Sequence, residues 1–190
     1  MYFTSKTSKS QNTIFLINSI LFSIIIVLAN YTVQFPINEW LTYGAIMFPF
    51  SFLLADILSE KYSREEVLNI IKYGILIAVI PTIIIADWRI AFASLSCLVI
   101  SQYLNVRIFM FLRQRFLNLW WLRIGGASII SQLFDTALFF FLAFAFVLPF
   151  ETIIKLIIGD YLIKVTIALM DTPIFYLIAI RLRQYTFGRI

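Results

Sequence analysis

The 190-residue sequence has no histidine, one cysteine and few charged residues, which make up 13% of the chain. The single thiol, Cys97, allows no internal disulfide, and zinc sites lack their usual ligands. The phosphate-loop motif GxxxxGK[ST] and the hydrolase motifs HExxH and GxSxG are also missing. These absences exclude ATP hydrolysis by this chain and argue against metal-dependent or serine-dependent hydrolysis. We therefore expect no enzymatic activity, no metal site and no cofactor.

Hydrophobic residues make up 62% of the chain, whereas soluble domains average roughly 45–50%. Windows of about 19 residues predict an all-α integral membrane protein, a single domain over residues 1–190 with six transmembrane helices. The predicted helices lie near residues 13–32, 43–60, 67–86, 90–112, 124–148 and 153–180. The first follows Lys6 and Lys9 as in a signal peptide, but no small-residue cleavage site comes after it. We expect it to remain as a helix.

Basic residues are unequally distributed between the two sides of this predicted bundle. The loops on one side hold only Arg89 and Lys155, and those on the other side, with the termini, hold eleven basic residues. These eleven are Lys6, Lys9, Lys61, Arg64, Arg107, Arg113, Arg115, Arg123, Arg181, Arg183 and Arg189. Because cytoplasmic loops retain cationic residues, both termini are predicted to be cytoplasmic, which requires an even number of spans. Trp40 and Trp88 would then lie at the outer interface and Trp120–Trp121 at the inner one.

Charged residues also occur inside the predicted helices, where each costs at least roughly 2.5–3.5 kcal/mol on insertion scales. Such residues normally face a partner or a polar cavity. In the sixth helix, Asp160, Lys164 and Asp171 follow at steps of four and seven residues. At about 100° per residue they share one face, which must point into the bundle. Either aspartate could neutralise the lysine.

Three other predicted helices carry polar residues at similar depth. Taken singly, each such residue is explained equally well by a bond between helices. Together, several acids, a lysine and two glutamines in so small a bundle favour a binding site. The predicted site residues are Asp56, Gln102, Asn105, Gln132, Asp135, Lys164 and Asp171.

Three segments resemble hallmark segments of the queuosine precursor transporter family, also called vitamin uptake transporters. They are residues 48–62 (FPFSFLLADILSEKY), 128–136 (SIISQLFDT) and 164–173 (KVTIALMDTP). The resemblance runs from about residue 43 to 181 and departs from the family pattern at Ser63, where glycine is frequent, and at Ile129, where threonine is frequent. It implies a bacterial inner-membrane protein that takes up 7-cyano-7-deazaguanine, 7-aminomethyl-7-deazaguanine or both, for salvage of the tRNA base queuosine.

Such a purine-like ligand fits the predicted site residues chemically. A carboxylate accepts the adjacent N–H donors of a guanine edge in parallel, and a keto oxygen needs a donor. Our hypothesis is that Asp135 or Asp171 reads the donor edge, while Asp56 closes the site. Lys164 and the amides of Gln102 and Gln132 would complete the pocket. Aromatic rings could stack on the flat base.

Two other functions stay open at this point. The chain could be the substrate-binding subunit of an ATP-driven vitamin importer, although the first helix offers only Ser19 and Ser23 as small docking residues four apart. It could also be a membrane assembly factor without a small-molecule substrate. The basic residues form no single face, so direct nucleic-acid binding is not expected. Proton coupling and uniport both stay open, as does a homodimer packed through the small residues Gly125–Ser128.

Overall fold

The computed structural model describes residues 4–38, 41–116 and 118–181, and these residues are almost entirely helical. The six long helices are α1 (Thr4–Thr32), α2 (Tyr43–Lys61), α3 (Arg64–Ile85), α4 (Trp88–Arg115), α5 (Trp120–Phe144) and α6 (Phe150–Phe175). A short π-helix, Tyr176–Arg181, extends α6. Two short antiparallel strands, β1 (Pro36–Asn38) and β2 (Leu41–Thr42), form a hairpin between α1 and α2 that the sequence did not predict.

Five of these helices, α1 to α5, are long and apolar enough to cross a membrane. This confirms a multi-pass membrane protein. The sixth helix does not meet the same criterion because its 26 residues include five charged ones. Those five are Glu151, Lys155, Asp160, Lys164 and Asp171.

The end of α5 differs from the prediction. A helix was predicted to run to residue 148, but α5 ends at Phe144 and residues 145–147 form a turn before Pro149. Proline disfavours the helical conformation in the residue before it, so the chain leaves α5 ahead of Pro149 and starts α6 immediately after it. At its other end, α6 becomes a π-helix three residues after Pro173, which lacks the N–H needed to continue the α-helical ladder.

Short connections make neighbouring helices antiparallel. Between α2 and α3, the Ser63 hydroxyl accepts from the Glu66 backbone N–H at 3.4 Å, while the Glu66 carboxylate accepts from the Ser63 N–H at 2.9 Å. Between α3 and α4, the Asp87 carboxylate accepts from the Arg89 N–H at 2.9 Å. Both contacts satisfy backbone donors that have no partner inside the helix.

The two ends of the bundle differ in charge. We call the end that carries β1 and β2 the hairpin end, and the opposite end the basic end. Among the described side chains, Lys61, Arg64, Arg113, Arg115 and Arg123 lie at or near the helix termini of the basic end. Trp40 lies outside the described residues, as do Arg183 and Arg189, so the structure does not bear on their predicted positions.

The second helix is at the centre of the bundle. It packs against all five other helices, and 12 of its 19 residues are buried. In contrast, α1 and α3 expose large apolar side chains such as Ile17, Ile24, Ile80 and Ile84, as expected of surfaces that face lipid.

Two apolar clusters lie at the two ends of the interface formed by α4, α5 and α6. The first, at the hairpin end, includes Cys97, Phe139 and Phe140. The second, at the basic end, includes Phe109 and Phe175, to which α2 adds Leu53. Most of the buried polar residues lie between these clusters, in a layer that crosses α2, α4, α5 and α6.

Gly74 tests the packing of α1 on α3. A Cβ atom at Gly74 would lie 2.9 Å from the Ser19 carbonyl oxygen and 2.8 Å from the Phe22 ring. We expect Gly74→Ala to force the two helices apart at a cost of about 1–3 kcal/mol, lowering the melting temperature in detergent by several degrees. Gly125→Ala is the matched control, because a Cβ there meets no atom within 4 Å. Equal melting temperatures for the two variants would contradict this packing.

Candidate functional site

The ammonium group of Lys164 is the centre of a buried polar network in α5 and α6. Its Nζ lies 2.9 Å from Asp160 Oδ2 and 3.3 Å from Asp135 Oδ2. The hydroxyl of Thr136 accepts from Nζ at 3.1 Å and donates to Asp160 Oδ2 at 3.1 Å. Ser101 of α4 donates to Asp135 Oδ1 at 2.8 Å. With both carboxylates ionised, one ammonium faces two of them, and the network has a formal charge of −1.

The network is buried, which raises the free-energy cost of breaking it. Lys164 is 3% exposed and Asp135 is 2% exposed. Breaking a buried ion pair by removing one partner costs roughly 3–5 kcal/mol, because the remaining charge is left without compensation. The face of α6 that carries Asp160 and Lys164 is therefore held against α5, and the orientation of α6 in the bundle follows from this pairing.

A cavity of about 140 Å³ extends from this network toward the hairpin end. The side chains of Lys164, Asp135 and Asp160 line its inner part. The Phe48 ring lies 5.1 Å from Lys164 Nζ, within range of a cation–π contact. The remaining lining residues are Val33, Thr42, Ala45, Ile90, Cys97, Phe139, Phe140, Phe144 and Leu156. The cavity thus combines a charged floor with largely apolar walls, four of whose residues are phenylalanines.

A second polar group lies nearer the basic end, around the fully buried Asp56 of α2. Asn105 of α4 donates to Asp56 Oδ1 at 2.7 Å, and Ser128 of α5 donates to Asp56 Oδ2 at 2.8 Å. These contacts join three helices through one carboxylate. Asp171 and Gln132 line the same small space as Asp56, which has no room for a water molecule.

Polar contacts also join the helices at the basic end. Arg123 Nη1 of α5 lies 3.6 Å from Glu60 Oε2 of α2, and both side chains are nearly buried. Arg113 of α4 donates to the Ser59 carbonyl oxygen at 2.6 Å. Together with the apolar cluster around Phe109, these contacts close the bundle at this end, whereas the cavity extends toward the other.

Comparison with known proteins shows which family this chain resembles. Residues 82–178, which include all of α4, α5 and α6, match the family model described as a putative vitamin uptake transporter. The chain is 31% identical to a probable queuosine precursor transporter of Bacillus subtilis (strain 168), with 71% of this chain and 70% of the relative covered. It is 29% identical to the queuosine precursor transporter of Escherichia coli (strain K12), with 77% of each chain covered.

The chain belongs to the queuosine precursor transporter family. This confirms the resemblance inferred from the three sequence segments. A third relative, a probable queuosine precursor transporter of Haemophilus influenzae, is 28% identical, with 63% of this chain and 65% of the relative covered. No solved structure matches the chain.

The seven predicted site residues of this family member fall into separate places. Asp135 and Lys164 line the cavity. Asp56, Gln132 and Asp171 line the closed space below it. The two remaining residues serve as donors in α4, Gln102 to Ser51 Oγ at 3.0 Å and Asn105 to Asp56. The assignment of all seven to a substrate site stays a prediction.

Other residues of the cavity, and of the Lys164 network beneath it, were not among the predicted site residues. Asp160 shares a helix face with Lys164 one turn away, and this spacing could have identified it as the closer carboxylate on α6. For Ser101 and Thr136 the only signal was their depth in apolar helices. No pattern in the sequence distinguishes Phe48 or Phe140 from the other phenylalanines, of which there are 20.

Two lysines of α6 give a matched test of the buried network. Each pairs with a carboxylate four residues earlier, but the Lys164–Asp160 pair is buried and the Lys155–Glu151 pair is exposed. We expect Lys164→Met to cost about 3–5 kcal/mol by leaving two buried carboxylates unpaired. Lys155→Met should change stability by less than about 1 kcal/mol, because water and ions screen the exposed pair.

Melting temperatures of the purified variants in detergent provide the measurement. Adding Asp135→Asn and Asp160→Asn to Lys164→Met also neutralises the two carboxylates. This triple variant should regain part of the lost stability, since no unpaired charge remains. If the two single lysine variants melt at the same temperature, the buried network does not carry the stability assigned to it.

Proposed function

We propose that this chain imports queuosine precursors, 7-deazaguanine bases, across the bacterial inner membrane. The observation that carries the proposal is the cavity whose floor combines Asp135, Asp160 and Lys164 beneath walls rich in phenylalanine. The names of the three relatives supply the substrate class. The cavity chemistry suits that class.

A guanine-like base carries hydrogen-bond donors and an acceptor that match the carboxylates and the ammonium of the cavity floor. Its edge presents two adjacent N–H donors and a keto oxygen, and carboxylates accept such donors while an ammonium donates to the oxygen. In our proposal Asp135 accepts from the donor edge and Lys164 donates to the keto oxygen. The network, with its formal charge of −1, then faces the N–H donors of the base, and this contact is electrostatically favourable. A phenylalanine ring, from Phe48 or Phe140, stacks on the flat base.

The volume of the cavity limits the size of the ligand that it can hold. A volume of about 140 Å³ is well below the roughly 300–1,000 Å³ of pockets for drug-sized ligands. A free base therefore suits it better than a nucleoside or a nucleotide. The 7-cyano and 7-aminomethyl precursors share the guanine edge and differ only in the 7-substituent, so a site that reads this edge accepts both.

The proposed orientation has six spans and cytoplasmic termini, with residues 1–190 as one membrane domain. Three of the five charges of α6, Asp160, Lys164 and Asp171, are buried inside the bundle, while Leu162 and Leu169 on its outer face are exposed. A helix that turns its charges inward can span the membrane at a reduced cost. The excess of basic residues then makes the basic end cytoplasmic, and the cavity extends toward the outside, as uptake requires.

Uptake by the purified chain in liposomes tests this function. Labelled 7-aminomethyl-7-deazaguanine and its 7-cyano analogue should enter without any ATPase partner, and excess unlabelled precursor should compete while adenine should not. Uptake that requires a separate ATPase would instead indicate the binding subunit of an ATP-driven importer. An absence of both binding and uptake would indicate an assembly factor.

Asp135→Asn tests the assignment of the donor edge. The amide of asparagine can replace one acceptor at most and repels the neighbouring N–H, so we expect binding to weaken by about 10-fold to 100-fold, since hydrogen bonds to charged groups contribute about 1.5–3 kcal/mol. Equilibrium binding of labelled precursor to detergent-solubilised protein measures this. Asp87→Asn, an exposed N-cap of α4 that asparagine also caps well, serves as the control. Unchanged binding in Asp135→Asn would remove Asp135 from the site.

A further inference from the structure

Two buried carboxylates in the layer below the cavity have no basic partner among the described residues. Asp56 is fully buried and Asp171 is 5% exposed. Asp56 accepts hydrogen bonds only from the neutral groups of Asn105 and Ser128. The Oδ2 atom of Asp171 has no hydrogen-bond partner. Two ionised carboxylates in this position would place two uncompensated charges inside the bundle.

The charged groups on the surrounding helices are engaged elsewhere. On α5 and α2, Arg123 pairs with Glu60. Lys164 of α6 pairs with Asp160 and with Asp135 of α5. The remaining neighbouring cation, Arg113 of α4, donates to the Ser59 carbonyl. Among the described side chains, no ion pair within 4 Å joins a cation to Asp56 or Asp171.

The space between these carboxylates is dry. It is lined by Asp56, Asp171 and Gln132 together with Pro49, Leu53, Ile124, Ser128 and Ala168, and it has no room for a water molecule. A hydrated cation cannot enter it in this conformation. Gln132 is fully buried, and neither its amide nitrogen nor its amide oxygen has a partner. The amide nitrogen of Gln132 is thus an unused donor beside two unused acceptors, Gln132 Oε1 and Asp171 Oδ2.

We propose that Asp56 and Asp171 form the proton site that couples uptake to the proton gradient, with Asp171 as the residue that binds the proton. This inference rests on the proposed import function. Two carboxylates in one dry space cannot both be charged without a large electrostatic cost, and one added proton removes the repulsion. Asp56, whose two oxygens already accept two hydrogen bonds, keeps the charge. Asp171, whose Oδ2 has no donor, takes the proton, and Gln132 offers an acceptor for the resulting O–H.

The position of the pair suits this role. Asp171 lies seven residues beyond Lys164 toward the basic end, about 10 Å along the helix at 1.5 Å per residue. The purine cavity and the proton site are therefore stacked along one route, with the Glu60–Arg123 contact between the proton site and the basic end. One proton binds to one carboxylate in the closed state. The same proton leaves from the same oxygen when the basic end opens.

Asp171→Asn in liposomes tests the coupling, because asparagine mimics the protonated carboxyl group and cannot release a proton. With an acidic exterior, the wild-type protein should accumulate labelled 7-aminomethyl-7-deazaguanine at least 10-fold above the external concentration, and a protonophore should abolish this. The Asp171→Asn variant should only equilibrate the purine across the membrane and should ignore the pH gradient. Asp87→Asn should accumulate the purine as the wild type does.

The outcomes separate the two proposals. If the wild-type protein does not move the purine at all, the import function is wrong. The proton site is wrong if the wild-type protein moves the purine without accumulating it, or accumulates it on a sodium gradient at constant pH. It is also wrong if the Asp171→Asn variant still accumulates the purine. If the Asp171→Asn variant does not fold, a pH-sensitive dye can measure proton entry during purine uptake by the wild-type protein. Entry of one proton with each purine supports the proposal, and purine uptake without proton entry overturns it.

Discussion

The bundle depends on one buried interaction, the pairing of Lys164 with Asp160 and Asp135. An unpaired lysine at this depth would cost several kilocalories per mole, so α6 has to turn this face toward α5. The remaining arrangement follows from that contact. Three of the five charges of α6 point inward, its outer face carries exposed apolar residues such as Leu162 and Leu169, and the Lys164 network becomes the floor of a cavity. In the proposed six-span topology, this pairing is what allows a helix with five charged residues to lie in the membrane.

The same layer contains two kinds of buried acid, and their surroundings separate their roles. Asp135 and Asp160 face an ammonium and a cavity, which suits the recognition of a polar ligand. Asp56 accepts from neutral donors and shares with Asp171 a space that has no room for a water molecule, which suits the binding of a proton. The central helix α2 connects the two groups, since Phe48 packs over Lys164 while Ser51, three residues later, and Asp56, eight residues later, contact α4. A movement of α2 would therefore change both groups at once.

Much of this could be predicted from the sequence, because periodicity alone determines which residues of one helix share a face. Most helix ends were predicted to within a few residues. The exceptions are the start of α1, which lies nine residues before the predicted residue 13, and the end of α5, where the many apolar residues masked the effect of Pro149. The shared face of Asp160, Lys164 and Asp171 was also correct. The family followed from three short segments. Each of these inferences uses only relations between residues close together in the chain.

The partners of those residues could not be predicted in the same way. The sequence prediction left both Asp160 and Asp171 open as partners of Lys164, and the packing of α5 on α6 brings Asp135 and Thr136 to the side of Asp160. The division of seven polar residues into a cavity floor and a dry carboxylate pair likewise depends on how far each helix is shifted along its neighbours. The sequence by itself determined the membrane class, the helices, the polar faces and the family, since these follow from local composition and spacing. Tertiary structure decided which charges meet, because distances between helices arise only when the whole bundle packs.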